Sequence, residues 1–165
     1  MIQGKSFYKL LLGKAALPIF VILGVGILYI ILMSIINHHS LPFPIIILFL
    51  ALAKTIIIAS NTLKQLSKLI KICHSLERLL LVFGLLIGIS ILSFATDYTC
   101  LHQFEPSTFK GVPSFSDAYI YNMYHFIYFS VITFFTVGYG DIVPISEVAR
   151  FVVMLEIFLL SLIHI

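Results

Sequence analysis

Apolar positions in this chain come in long runs. Residues 17–36 carry no charge, residues 43–59 carry only Lys54, residues 79–95 carry none, and residues 148–165 carry Arg150 and Glu156. Each run is close to the ~20 residues a helix needs to cross a bilayer core. The pattern predicts four membrane-spanning helices. Between the third and fourth runs lies a shorter apolar stretch, "YIYNMYHFIYFSVITFF", residues 119–135. It stands too close to the following run to be another crossing. A re-entrant half-helix with an extended return fits, because non-helical backbone at membrane depth survives only where protein or water covers it. The expected fold class is therefore an all-α membrane protein.

Composition narrows the picture. Of 165 residues, 61% are hydrophobic and 10% charged, more apolar surface than a soluble domain of this size can bury. Seven of the ten basic residues fall in two stretches, Lys5, Lys9 and Lys14 at the N-terminus and Lys64, Lys68, Lys71 and Arg78 in residues 61–78. Cytoplasmic segments collect Lys and Arg. The N-terminus, residues 61–78 and the C-terminus are therefore expected inside, and the His38-His39 turn and residues 96–143 outside. The expected location is the cell membrane, multi-pass. The first run is too long for a cleaved signal and reads as a signal-anchor. The lysines of residues 61–78 recur at helical spacing opposite Leu63, Leu66, Leu69, Ile70 and Leu76, which predicts a helix at the headgroups. The spans lack the arginine series of a voltage sensor. Cys73 and Cys100 fall on opposite sides, so no disulfide joins them in this topology.

The half-helix ends directly at "TVGYGD", residues 136–141. Gly138 and Gly140 tolerate left-handed dihedrals. Interleaved with Thr136, Val137 and Tyr139, they let successive carbonyls point the same way. Four chains around one axis would then present stacked rings of oxygens to a dehydrated monovalent cation.

The longer stretch "SVITFFTVGYGDIVP" resembles the signature of the potassium-channel pore domain. The resemblance covers about residues 79–165. It implies an outer helix at 79–95, an outer loop at 96–118, a pore helix at 119–135, a filter at 136–141 and an inner helix at 146–165. Residues 1–78, a two-helix hairpin with the basic segment, lie outside it. By the same resemblance Thr136, Val137, Gly138, Tyr139 and Gly140 form a selectivity filter. Backbone carbonyls of Thr136, Val137, Gly138 and Tyr139 would bind K+, the permeant ion, and no cofactor is expected. Asp141 stands at the outer mouth, attracting cations or bracing the filter. Tyr139 turns from the ion path onto the half-helix. One pore segment per chain implies a homotetramer.

Several positions depart from the family pattern. Phe135 stands where a threonine is common, and Ile132 where some members carry a carboxylate that pairs with the aspartate after the filter. With no tryptophan in the chain, Tyr128 and Phe129 are left to form the aromatic cuff. No glycine follows Gly140, so the usual inner-helix hinge is missing.

Two charges lie inside predicted spans, at a cost of ~2.5–3.5 kcal/mol each on insertion scales. Counted inward from the outer ends, Lys54 and Glu156 sit at matching depths of roughly 17 and 15 Å. This predicts that they pair. The alternatives are a Lys54 that snorkels to the inner surface and a Glu156 that faces the pore and concentrates cations. No Cys/His spacing suggests a metal site, and no nucleophile–base set suggests an enzyme. The lipid bilayer and further copies of the chain are the expected partners, and nucleic acid is not. The expected function is passive, potassium-selective conduction. Two readings stand beside it, a non-conducting or truncated partner subunit and a weakly selective monovalent cation channel.

Overall fold

A computed structural model describes residues 20–29, 31, 43–72, 76–113 and 119–164. The chain is mostly helical: α1 (Phe20–Tyr29), α2 (Phe43–Ile72), α3 (Leu76–Phe104), α4 (Tyr119–Phe134) and α5 (Glu147–His164). A 3-10 turn, Pro106–Thr108, and two short strands, β1 (Phe109–Lys110) and β2 (Val143–Pro144), complete the described elements. Helix α3 packs on α2, α4 and α5, and α2 also packs on α5.

Two of these helices are long and apolar enough to cross a membrane, through windows Pro44–Asn61 and Leu80–Phe104. Helix α5 has 18 residues but carries Glu147, Arg150 and Glu156. The first expected span is described only in part, as α1.

Helix α2 is longer than expected. Its 30 residues span about 45 Å, against ~30 Å of hydrocarbon. The basic stretch through Ile72 is thus a direct continuation of α2 and not a separate helix. Nothing in the sequence breaks the turn at Ala59–Asn61, and the Asn61 amide bonds back to the Ile57 carbonyl at 2.9 Å. Cys73, His38, His39, Ser114, Ser116 and Asp117 lie outside the described residues.

Helix α3 is also longer. It was expected to end at Ala95 and instead runs through "TDYTCLHQF" to Phe104. The polar residues do not interrupt it because they bond within the fold. Thr96 and Thr99 donate back to Leu92 and Ala95 carbonyls at 2.8 and 2.7 Å, the bonding mode that lets hydroxyls sit inside a helix. Asp97 is fully buried. The expected outer loop therefore starts at Glu105.

The core lies where α3 meets α4 and α5. Tyr98, wholly buried, packs edge-on against Phe109 at 5.5 Å and Phe129 at 5.3 Å. Phe126 closes on Phe109 at 4.8 Å. Edge-to-face pairs at such distances stabilise beyond their area burial, by ~0.5–1.5 kcal/mol each. Gly84 and Gly88 have open space around them within the chain, so they do not serve a close helix approach there.

Strands β1 and β2 pair antiparallel, Phe109 opposite Pro144 and Lys110 opposite Val143. The Thr108 carbonyl also accepts from Ile145 N at 2.8 Å. Ser146 caps α5, its hydroxyl accepting from Ala149 N at 3.2 Å, and Glu147 adds negative charge to that first turn, as helix N-termini favour.

Candidate ion-conduction site

The segment 136–141 leaves α4 without a linker. Phe135 N donates to the Val131 carbonyl and Thr136 N to the Thr133 carbonyl, both at 3.0 Å. Val137 N and Gly138 N then share the Ile132 carbonyl, at 2.8 and 3.3 Å. These bonds satisfy carbonyls that a helix C-terminus leaves open. They also fold the first half of the segment onto the end of α4, whose partial negative charge favours a cation nearby.

The backbone alternates. Thr136, Gly138 and Gly140 have φ of 56°, 57° and 77°, while Val137 and Tyr139 do not have positive φ. The glycines accept this freely. Thr136 carries a cost of ~1–2 kcal/mol for a left-handed L-residue, opposed by the bonds on either side of it. Alternation of this kind permits neighbouring carbonyls to point to one side. The whole stretch from Phe135 to Asp141 is exposed, Tyr139 at 72%. Within a single chain Tyr139 therefore does not pack on α4.

The Asp141 end of the segment is held by two contacts. The Tyr128 hydroxyl beside Asp141 holds that carboxyl below the usual carboxylate range. Asp141 thus has a partner although Ile132, a buried apolar residue, supplies none. Of the two residues expected to form a cuff, only Tyr128 reaches the loop. Phe129 turns the other way, into the core with Tyr98. The second contact is Gly111, at φ 89°. A Cβ there would lie 1.7 Å from the Asp141 carbonyl oxygen, so backbone meets backbone and no side chain fits.

At the Thr136 end a cavity of about 380 Å³ is lined by Phe134, Phe135, Thr136, Ile157, Leu160 and Ser161. Phe135 is 59% exposed and stacks edge-on with Phe134 at 5.6 Å. It lies beside this cavity and not in the core behind the loop.

Lys54 and Glu156 do not meet. Lys54, 1% exposed, places its Nζ 2.7 Å from both carboxylate oxygens of Asp97 and 2.8 Å from the Ser93 carbonyl. Tyr29 adds a hydroxyl to Asp97 Oδ1 at 3.0 Å. Lys54 therefore neither pairs with Glu156 nor snorkels. Equal depth does not bring Lys54 to α5, because its side chain turns to α3. Glu156, also 1% exposed, faces α3 and α4 rather than open space. It accepts from the Tyr98 hydroxyl at 2.6 Å and contacts the Ser130 hydroxyl.

Asp97, Tyr29, Tyr98, Ser130 and Gly111 are the residues that sequence reasoning missed. The buried cation at Lys54 was the available signal for Asp97, since it demands an anion. Gly111 carries no signal in a single sequence. His125 packs between the Tyr121 and Tyr124 rings, and its Nε2 has no hydrogen-bond partner. Among the described residues no group of three His, Cys, Asp or Glu could hold a metal ion.

Residues 107–163 match a protein-family model described as an ion channel. That span runs from the 3-10 turn through β1, α4, the 136–141 segment and β2 into the end of α5. Comparison with curated proteins gave no match, and comparison with solved structures gave none either.

Proposed function

We propose that the chain is one subunit of a homotetrameric, potassium-selective channel in the cell membrane, with both termini cytoplasmic. The observation that carries this reading is the 136–141 backbone. It alternates in hand, is fastened to a helix C-terminus, and lies in the part of the chain that matches an ion-channel family. Carbonyls of Thr136, Val137, Gly138 and Tyr139 would replace the water around K+, and ions would pass by knock-on between sites. Exposure supports the tetramer. A bilayer does not tolerate irregular backbone uncovered, and here it is uncovered. Further copies around the axis would cover Val137 and Tyr139 on one side and leave the carbonyls lining a water-filled path. Helices α3 and α5 would be the outer and inner helices, and Asp141 would attract cations at the mouth.

The test is ion flux from liposomes holding the purified chain under a potassium gradient. Potassium flux well above sodium flux is expected. Equal permeability to both ions would leave only the weakly selective reading. Gly138→Val should abolish flux while the tetramer persists in crosslinking, because a β-branched residue resists φ near 57°. The missing glycine hinge after Gly140 favours a second reading, a non-conducting partner subunit. Flux that appears only when a second pore-forming chain is present would select it.

A further inference from the structure

Among the described residues no cation stands beside Glu156, unlike an ordinary buried carboxylate. The titratable groups that face it are Tyr98 and, at longer range, Asp97, both on α3. Helix α4 offers only the Ser130 hydroxyl. Lys54, from α2, is committed to both oxygens of Asp97. An uncompensated charge in a low-dielectric bundle is costly enough that such a group neutralises instead.

The hydrogens can be counted. Tyr98 has one, and it goes to Glu156 Oε2 at 2.6 Å. Ser130 has one, and its oxygen lies between two acceptors, Glu156 Oε1 and the Ile91 carbonyl at 3.3 Å. If Glu156 is ionised, the Ser130 hydrogen serves Oε1, the Ile91 carbonyl keeps only its bond within α3, and a full charge stays buried against hydroxyls. If Glu156 carries a proton on Oε1, it donates to Ser130 Oγ, and Ser130 donates onward to Ile91. Each of the three hydrogens then has its own acceptor, and no net charge is buried.

We infer that Glu156 is a neutral acid whose proton ties α5 to α4 at Ser130, and that this tie positions the filter segment. Ser130 stands two residues before Ile132, whose carbonyl holds Val137 and Gly138. The inner helix is thereby bonded to the turn of α4 from which the filter hangs. Tyr98 and Ile91 fix the same point to α3, so three helices share one hydrogen-bond chain. The positioning half of this inference rests on the channel reading, and the protonation half does not.

The experiment has two arms on the full chain in lipid. In infrared difference spectra at neutral pH, the carboxylic-acid C=O band of the wild type should vanish in Glu156→Gln and shift in Ser130→Ala. No such band in the wild type overturns the protonation, whether or not the chain conducts. In liposome flux, Glu156→Gln should keep the potassium-to-sodium ratio, because its amide can donate to Ser130 and accept from Tyr98. Glu156→Leu, and Ser130→Ala should Leu not fold, should lower that ratio roughly tenfold. An unchanged ratio in these, or a loss in Glu156→Gln equal to that in Glu156→Leu, overturns the tie. If the wild type passes no potassium, the channel reading fails, and with it the positioning role, while the infrared arm still decides the proton.

Discussion

Asp97 and Glu156 are two carboxyl groups buried in the same bundle, and they are accommodated by opposite means. Asp97 receives a lysine on both oxygens plus a tyrosine hydroxyl. Glu156 receives hydroxyls alone. The two sites are adjacent through the chain, since Asp97 and Tyr98 are neighbours that turn to different sides of α3. On one side α2 is fastened to α3 by an ion pair and α1 by the Tyr29 hydroxyl. On the other, α4, which carries the 136–141 segment, is joined to α3 and α5 through hydroxyl hydrogen bonds. Ion pairing makes the first contact strong but unforgiving of a lost partner. Hydrogen sharing makes the second tolerant of any neutral group that donates and accepts in the same places.

The sharpest way to break this comparison is Lys54→Met. It strands the Asp97 carboxylate, and removal of one partner of a buried pair costs about 3–5 kcal/mol. Thermal unfolding in detergent should show it, and Lys54→Met with Asp97→Leu should recover most of the loss, since the cost is the orphaned charge. A single mutant no worse than Glu156→Gln would mean the two acids are alike. Next in size are the tyrosines. Tyr98→Phe should cost about 1–3 kcal/mol because it leaves a buried acceptor short. Tyr29→Phe should cost less, about 0.5–1.5 kcal/mol, because Asp97 keeps both lysine bonds. Equal losses would remove the distinction between the sites.

The smallest effect sharpens the contrast with an exposed acid. The Tyr128 hydroxyl holds Asp141 below the ordinary carboxylate range, so its charge and the stabilising bond persist above that range. Both are lost as pH falls through the lowered value. Tyr128→Phe should bring the titration back towards the reference value of about 3.9. External acid should then reduce flux at a higher pH than in the wild type, and an unmoved midpoint would show that Tyr128 does not set it.

Local features of the site could be read from the chain, while the pairings could not. The 136–141 segment announces itself because its glycines and hydroxyl stand between apolar runs, and α4, expected at 119–135, is found at Tyr119–Phe134. The end of α3 was hidden for a physical reason. Thr96, Asp97 and Thr99 look like the start of a loop, yet each spends its polar atoms inside the fold. Treating Asp97 as a loop residue removed the correct partner of Lys54, and depth counting then offered Glu156 instead. Depth is a property of one helix at a time, whereas pairing depends on which way two helices are rotated. The Gly111 contact was invisible because it joins backbone to backbone, and backbone carries no residue code.

That contact makes the outer segment a usable handle. Gly111 lies against the Asp141 carbonyl, and Lys110, exposed and opposite Val143, is the residue next to it. A small fluorophore on a cysteine at position 110 would ride on backbone that touches the end of the 136–141 segment. Any shift of Asp141 would reach the dye through a junction with no side chain to absorb it, so the 136–141 segment could be watched without altering any of its residues.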